Sequence, residues 1–156
     1  MLANVIIRRF GLLIILLAIG AGAFIFRDRL SGNAGDLTVG DCFDAPTSGL
    51  VEQEVKDVQH HPCTEPHSGE VFFVVKNGAD KNAAYPDKDT EHTFVQSQCT
   101  QPFADYVGTA FEQSALDVQY FAPTAEGWSK GDRVYTCFAV RTDGSPLNAT
   151  VKGSKL

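Results

Sequence analysis

The sequence predicts an α+β fold, in which an N-terminal transmembrane helix precedes a small, mainly antiparallel sheet with one helix packed on it and two disulfides. Three observations lead to this prediction. Residues 10–26 form a long uncharged stretch, segments with strand character lie on both sides of a single helical segment, and the four cysteines form an even set.

Residues 10–26 are apolar and are bracketed by Arg8 and Arg9 on one side and by Arg27 and Arg29 on the other. A helix of this length covers about 25 Å of the roughly 30 Å hydrocarbon core, and the flanking arginines can extend toward the interfaces. We therefore expect residues 1–29 to be a signal-anchor that contacts the cytoplasmic membrane through residues 5–26. The domain that follows would then be extracytoplasmic on a single-pass membrane protein.

A cleaved signal peptide is the alternative interpretation of the same stretch. Ala21, Gly22 and Ala23 form an A-x-A cleavage pattern after an apolar region. The apolar run continues past that pattern through Phe26, which favours a retained anchor. Both interpretations export the rest of the chain.

The exported part is predicted to be one domain at residues 37–151, between a linker at residues 30–36 and a tail at residues 152–156. From residue 30 onward, nine basic residues stand against 18 acidic ones, which gives a formal charge of −9. Such a domain releases no counterions from DNA or RNA, so nucleic acid is excluded as an expected partner.

Strand patterns surround the helical segment. Residues 70–76 form a continuous apolar run rich in valine and phenylalanine, which is typical of a central strand, whereas residues 116–121 alternate and favour a half-exposed strand. A loop is expected at residues 77–88, and another, containing Trp128, at residues 123–133. The full set of predicted strands is 37–39, 51–58, 70–76, 116–121, 134–141 and 147–151.

The helix is predicted to follow the first loop, with Asp89 or Thr90 as its N-terminal cap and Gly108 as its C-terminal cap. Pro102 is expected to interrupt or kink it. Helical spacing places one set of residues on a common face directed at the sheet: Val95, Cys99, Phe103, Tyr106 and Val107.

The four cysteines allow three disulfide pairings. We favour Cys42 with Cys63, joining the first part of the domain to the loop after the second strand, and Cys99 with Cys137, joining the helix to a sheet strand. A four-cysteine zinc site is the alternative, but no pair has the short C-x2-4-C spacing of such sites.

Candidate recognition residues cluster in two stretches. The first is rich in histidine and acid, but His60 and His61 are neighbours on an extended chain and point to opposite faces, and Cys63 is expected to be oxidised. We predict that His67 hydrogen-bonds a backbone carbonyl or Glu70, that Trp128 plugs the end of the sheet, and that Arg133 pairs with an acid. The candidate recognition surface comprises Pro66, His67, Glu70, Trp128, Asp132 and Arg133.

The order of these pieces resembles the septum formation domain of actinobacterial envelope proteins. The resemblance covers about residues 37–140, and its motifs are VGDCF at residues 39–43, CTEPHSGEV at residues 63–71, Cys99 with the YVG of residues 106–108, and WSKGDR at residues 128–133 before Cys137. It implies a membrane-tethered extracytoplasmic module linked by name to cell division. It implies no catalytic residue.

The sequence contains none of the common signatures of a nucleophile with its base, a zinc protease or a phosphate loop. We therefore expect no catalytic residue, no metal and no cofactor. The favoured function is a non-enzymatic interaction module that binds another envelope protein. The alternative is a small-ligand or metal-binding domain that uses His67, Glu70 and Trp128.

Overall fold

The computed structural model describes residues 31–44, 55 and 57–156. No helix among these residues is both long and apolar enough to cross a bilayer. The predicted membrane segment, the cleavage pattern at Ala21–Ala23 and most of the predicted strand at 51–58 lie outside the described residues. The account below therefore concerns the compact unit Ser31–Leu156.

The unit is built on one six-stranded sheet in which every neighbouring pair is antiparallel, in the order β1-β3-β2-β4-β6-β5. Its strands are β1 (Ser31–Asn33), β2 (Cys42–Asp44), β3 (Asp57–His61), β4 (Gly69–Lys76), β5 (Leu116–Phe121) and β6 (Val134–Arg141). The helices are α1 (Lys88–Val107) and the short α2 (Ala125–Ser129). The α+β class, the antiparallel sheet and the single main helix match the prediction.

The centre of the sheet is the long pair β4 and β6, which runs from Glu70 opposite Ala139 to Lys76 opposite Val134. The apolar residues of β6 alternate between the two faces, whereas a bulge between Val71 and Phe73 interrupts the alternation on β4. On β4, Phe72 joins the core beneath α1, whereas Val71 joins a smaller core on the other face. The apolar run that predicted a central strand thus fills both faces of the sheet.

Helix α1 packs on the sheet through the predicted face. Val95, Cys99, Phe103 and Val107 are buried there, and Phe103 contacts Phe72 edge to face at 5.5 Å between ring centroids. The prediction that Pro102 interrupts the helix is wrong. Proline removes one backbone hydrogen bond, but the packed face on either side keeps the helix continuous.

Both ends of α1 are capped. At the start, Asp87 Oδ1 accepts a hydrogen bond from the Thr90 backbone N–H at 2.8 Å, so the cap lies before both predicted candidates, Asp89 and Thr90. At the end, Gly108 adopts the left-handed conformation with φ of 86°, as predicted from its type. The residues predicted as a tail also bond this end, since the N–H of Lys155 donates to the Val107 carbonyl.

The Asp87 cap leads to a prediction about pH. Hydrogen bonds from the side chain and backbone of Thr90 hold the pKa of Asp87 below its ordinary value. A group with a lowered folded-state pKa stabilises the fold above its ordinary pKa, and this contribution is lost as pH falls through the folded value. Asp87→Ala should therefore lower the melting temperature at neutral pH. The difference in melting temperature between this variant and the wild type should narrow toward about pH 3.

The matched variant for this test is Asp87→Asn, which keeps an acceptor oxygen at the cap but cannot ionise. It should melt near the wild type at neutral pH. The difference in melting temperature between Asp87→Asn and Asp87→Ala should not narrow as the pH falls. A gap between Asp87→Ala and the wild type that stays constant from neutral to acid pH would contradict the role of the charged cap.

Four further expectations about the elements are corrected. The predicted linker contains β1 and a 3-10 turn, Ala34–Asp36, and it buries Ala34 instead of remaining free. The strand predicted at residues 37–39 is absent, because this short segment connects that turn to β2. The strand predicted at 147–151 reduces to a single bridge between Leu147 and His67, and the loop containing Trp128 forms α2.

Candidate functional site

The two disulfides join the predicted partners. Cys42 on β2 bonds Cys63 beyond β3, and Cys99 on α1 bonds Cys137 on β6. The second bridge is buried completely between helix and sheet. Two structural disulfides indicate that the domain resides in an oxidising, extracytoplasmic compartment.

Glu70 is the most completely hydrogen-bonded side chain of the histidine-rich stretch. It is fully buried at the start of β4, where its carboxylate accepts three hydrogen bonds. The Tyr106 hydroxyl donates at 2.7 Å, the Thr150 hydroxyl at 2.6 Å and the Val151 backbone N–H at 2.7 Å. Burial, followed by the bond to Glu70, raises the pKa of Tyr106. The carboxylate thus ties the sheet, α1 and the C-terminal segment together.

His67 is buried beside this carboxylate, with 1% of its surface exposed. Its Nδ1 lies 2.7 Å from the Glu65 carbonyl oxygen, so Nδ1 carries the proton and donates, since a carbonyl can only accept. This bond is one of the two that the sequence predicted. Its Nε2 has no hydrogen-bond partner among the described residues. Pro66, by contrast, lies exposed on the turn before it.

Cys42, His67 and Glu70 bring potential metal-ligand atoms within 4.8 Å of one another. The sulfur of Cys42 belongs to a disulfide and so cannot supply a thiolate. The Glu70 carboxylate already accepts three hydrogen bonds from the surrounding protein. The arrangement is therefore explained as a hydrogen-bonded part of the core.

Trp128 and Arg133 form the second group of candidates, at the opposite end of the sheet. Trp128 is 4% exposed, and its indole N–H donates to the Ala83 carbonyl at 2.8 Å. The Arg133 guanidinium lies 3.7 Å from the centre of the indole, a cation–π distance. Trp128 therefore closes the sheet end, as predicted. Asp132 lies exposed beside them, and its Oδ1 accepts from the Val134 N–H at 3.0 Å.

The prediction that Arg133 pairs with an acid is wrong. Its Nη1 donates to the carbonyls of Trp128 and Asp132, at 2.6 and 2.7 Å, and its Nη2 donates to those of Asp80 and Lys81, at 2.9 and 3.1 Å. Backbone carbonyls of the loop after β4 and of the segment before β6 accept from both Nη atoms of the guanidinium. No described residue forms an ion pair with this buried arginine.

The structure thus divides the predicted recognition surface between two places. His67 and Glu70 lie at the start of β4, whereas Arg133 and Trp128 lie beyond its other end near Lys76. Glu70 and Lys76 are six residue steps apart along the strand, a distance of about 20 Å. His67, Glu70 and Trp128 therefore do not converge on a single small ligand.

The outer edge of β5 is a feature that sequence reasoning did not single out. Among the strands that the structure describes, β5 is last in the sheet and pairs only with β6. The Thr142 N–H donates to the Ala115 carbonyl, so the backbone groups of Ala115 face β6. In an antiparallel pair, successive residues alternate between facing the partner strand and facing away from it. The backbone N–H and C=O groups of Leu116, Val118 and Tyr120 therefore point away from β6. Side chains cover two of these N–H groups: Ser114 Oγ accepts from Leu116, and Asp117 Oδ1 accepts from Val118.

A groove of about 320 Å³ runs beside that edge, between α1 and β5. Its apolar lining includes Val95, Phe111 and Val118, and Glu112 and Asp117 contribute acidic groups. We name this combination of strand edge and groove the β5 groove. The alternation of residues 116–121 predicts a half-exposed strand. It does not predict which strand lies at the edge of the sheet, so the groove was not identified from the sequence.

The burial of Glu91 was also not predicted from the sequence. It lies in the first turn of α1, where an acid is ordinarily solvated, yet it is 2% exposed. Its Oε1 and the hydroxyl of Tyr135 have no hydrogen-bond partner among the described residues. Burial, together with the charge of Glu91, raises the pKa of both Tyr135 and Tyr120.

Fold and disulfides together define the class of this protein: a small, disulfide-bonded α+β domain of an extracytoplasmic compartment. A family model described as "Septum formation" matches residues 39–154, and the chain belongs to that family, as its motifs indicated. No curated protein and no solved structure matches the chain.

Proposed function

We propose that this chain is a non-enzymatic, membrane-tethered module that binds an extended segment of another envelope protein through the β5 groove. Residues 5–26 hold it in the cytoplasmic membrane with the domain on the extracytoplasmic side. The observation that carries the proposal is the combination of an unpaired strand edge with an adjacent apolar groove. Family membership supports a role in septum formation.

An extended peptide can add to a free strand edge through backbone hydrogen bonds, while the pockets beside the edge select alternate side chains. The β5 segment contains neither proline nor lysine, two residues that commonly block such pairing. The carbonyls of an added strand would replace Ser114 and Asp117 as acceptors for the outward N–H groups. Its alternate side chains would then enter the groove against Val95 and Val118.

The charge of the site indicates the composition of the partner. Glu112 and Asp117 lie on the groove, and the exported part of the chain has a formal charge of −9. A partner segment with alternating apolar residues and one or two basic residues complements this surface. An acidic segment would be repelled.

The test is proximity labelling from the full-length chain, comparing the wild type with Glu112→Lys combined with Asp117→Lys. We expect the wild type to enrich a small set of envelope proteins, division proteins among them, and the double variant to lose their enrichment by roughly tenfold, because reversed charges repel a basic segment. The control is Asp105→Lys combined with Glu126→Lys, which changes the net charge equally at exposed positions outside the groove.

Enrichment that survives in the groove variant, or that is lost equally in the control, would refute binding through the β5 groove. Non-reducing electrophoresis should show both disulfides in each variant, so that a loss of labelling is not caused by misfolding.

A further inference from the structure

A basic cavity of about 330 Å³ lies beyond the end of β4, remote from the histidine cluster. Lys76, Lys81 and Arg133 line it together with small or neutral residues, and no acid among the described residues lines it. Three cations around one cavity are unexpected in a domain whose formal charge is −9. The average composition of the domain does not account for this concentration of positive charge.

Arg133 is the buried member of this group, with 2% of its surface exposed. A buried charge is costly unless other groups compensate it, and such groups are usually carboxylates. All four of its hydrogen bonds go to neutral backbone carbonyls, and its Nε has no partner among the described residues. Arg133 therefore places a positive charge at the wall of the cavity, and no carboxylate among the described residues pairs with it.

The two neighbouring acids, Asp80 and Asp132, form no ion pair with the cations of the cavity among the described residues. Asp80 Oδ1 accepts from the Asn82 N–H at 2.8 Å, and Asp132 Oδ1 accepts from the Val134 N–H, so each carboxylate stabilises its own turn. Neither lines the cavity. Lys76 and Lys81 are exposed and form no ion pair with any described residue, which leaves both ammonium groups available.

Two glycines line the cavity where the backbone is accessible. A Cβ atom placed on Gly78 or on Gly131 would meet nothing within 4 Å, so free space adjoins the backbone at both positions. A ligand can approach the main chain there as closely as it approaches the basic side chains. The cavity volume is also several times the roughly 30 Å³ that one water molecule occupies in the liquid.

We propose that this cavity, the basic cavity of Lys76, Lys81 and Arg133, binds a phosphate group carried by a small molecule or a lipid headgroup. A phosphate dianion presents several acceptor oxygens, which the ammonium groups of Lys76 and Lys81 can contact, and the positive charge of the adjacent buried guanidinium favours an anion there. The remaining volume accommodates the group to which the phosphate is attached. This site is independent of the β5 groove.

The test is calorimetric titration of the full-length chain, reconstituted in phosphatidylcholine nanodiscs at low salt, with inorganic phosphate and with glycerol phosphate. We expect saturable binding that weakens roughly tenfold, about 1.4 kcal/mol, in the variant Lys76→Gln with Lys81→Gln, since both ammonium contacts are lost. Both lysines are exposed, so the fold should persist. Lys88→Gln, which removes an exposed charge outside the cavity, should bind like the wild type.

A second arm distinguishes the two sources of phosphate. In nanodiscs containing phosphatidylglycerol, a lipid headgroup that occupies the cavity should weaken the binding of glycerol phosphate in the wild type more than in the lysine variant. Unchanged binding would indicate a soluble phosphate compound. Absence of saturable binding to either probe at about 10 mM, or equal affinity in the wild type and the lysine variant, would overturn the proposal.

Discussion

Replacing Glu70 by alanine should destabilise the domain by about 4 kcal/mol, one of the largest effects of any single substitution in the chain. The change removes the common acceptor of three donors, from Tyr106, Thr150 and Val151, and leaves a cavity in a fully buried place. Unsatisfied buried donors cost about 1–3 kcal/mol each, although relaxation of the hydroxyls will recover part of that cost.

Graded variants make this prediction specific. Glu70→Gln keeps the volume but replaces one acceptor oxygen with a donor, so its loss should be intermediate. Tyr106→Phe removes a single donor and should cost about 2 kcal/mol. Glu112→Ala, at an exposed position, should change the stability by no more than about 0.5 kcal/mol.

Urea unfolding of the full chain, followed by the fluorescence of its single tryptophan, measures these differences, because Trp128 is 4% exposed in the folded state. A loss below about 1 kcal/mol for Glu70→Ala would show that Glu70 does not hold these segments together.

Local pattern was sufficient to predict the long elements of this fold. Residues 116–121 and 134–141 were predicted as strands with the bounds that the structure has, since alternation or a sustained apolar run marks them. The buried face of α1 followed from its spacing. The cysteine pairing followed from the same placement, because Cys99 lies on that face and Cys137 on an adjacent strand.

The short elements could not be predicted, because tertiary pairing alone defines them. β1 and β2 have three residues each and exist through their ladders with β3. Leu147 makes a single bridge, to His67, although a strand was predicted at residues 147–151. Periodicity over three residues carries too little information to distinguish these cases.

The candidate site was predictable only in part, for an electrostatic reason. Sequence reasoning assigns a charged residue either to solvent or to a partner of opposite charge, and Arg133 and Glu91 follow neither rule. Arg133 is compensated by carbonyls of a loop about fifty residues earlier in the chain, and Glu91 is buried although it stands in the first turn of a helix. Such compensation depends on how the backbone folds, which composition does not encode.

Removing the disulfide between α1 and β6, by Cys99→Ala with Cys137→Ala, should cost about 4 kcal/mol or more. In the chain-entropy model, closing a loop with a sequence separation of 38 contributes about 4 kcal/mol by restricting the unfolded chain. The two alanines also leave unfilled space where both sulfurs are buried, which adds a packing loss. For a small domain this is a large part of the total stability.

The matched variant is Cys42→Ala with Cys63→Ala, which opens a loop with a sequence separation of 21. The same model assigns that bridge about 3 kcal/mol, and Cys63 is only half-buried, so its packing loss is smaller. We therefore expect the Cys99 and Cys137 pair to be the more costly one to remove in urea unfolding under oxidising conditions. The reverse order would mean that restriction of the first part of the domain, rather than attachment of α1 to the sheet, dominates the stability of the folded unit.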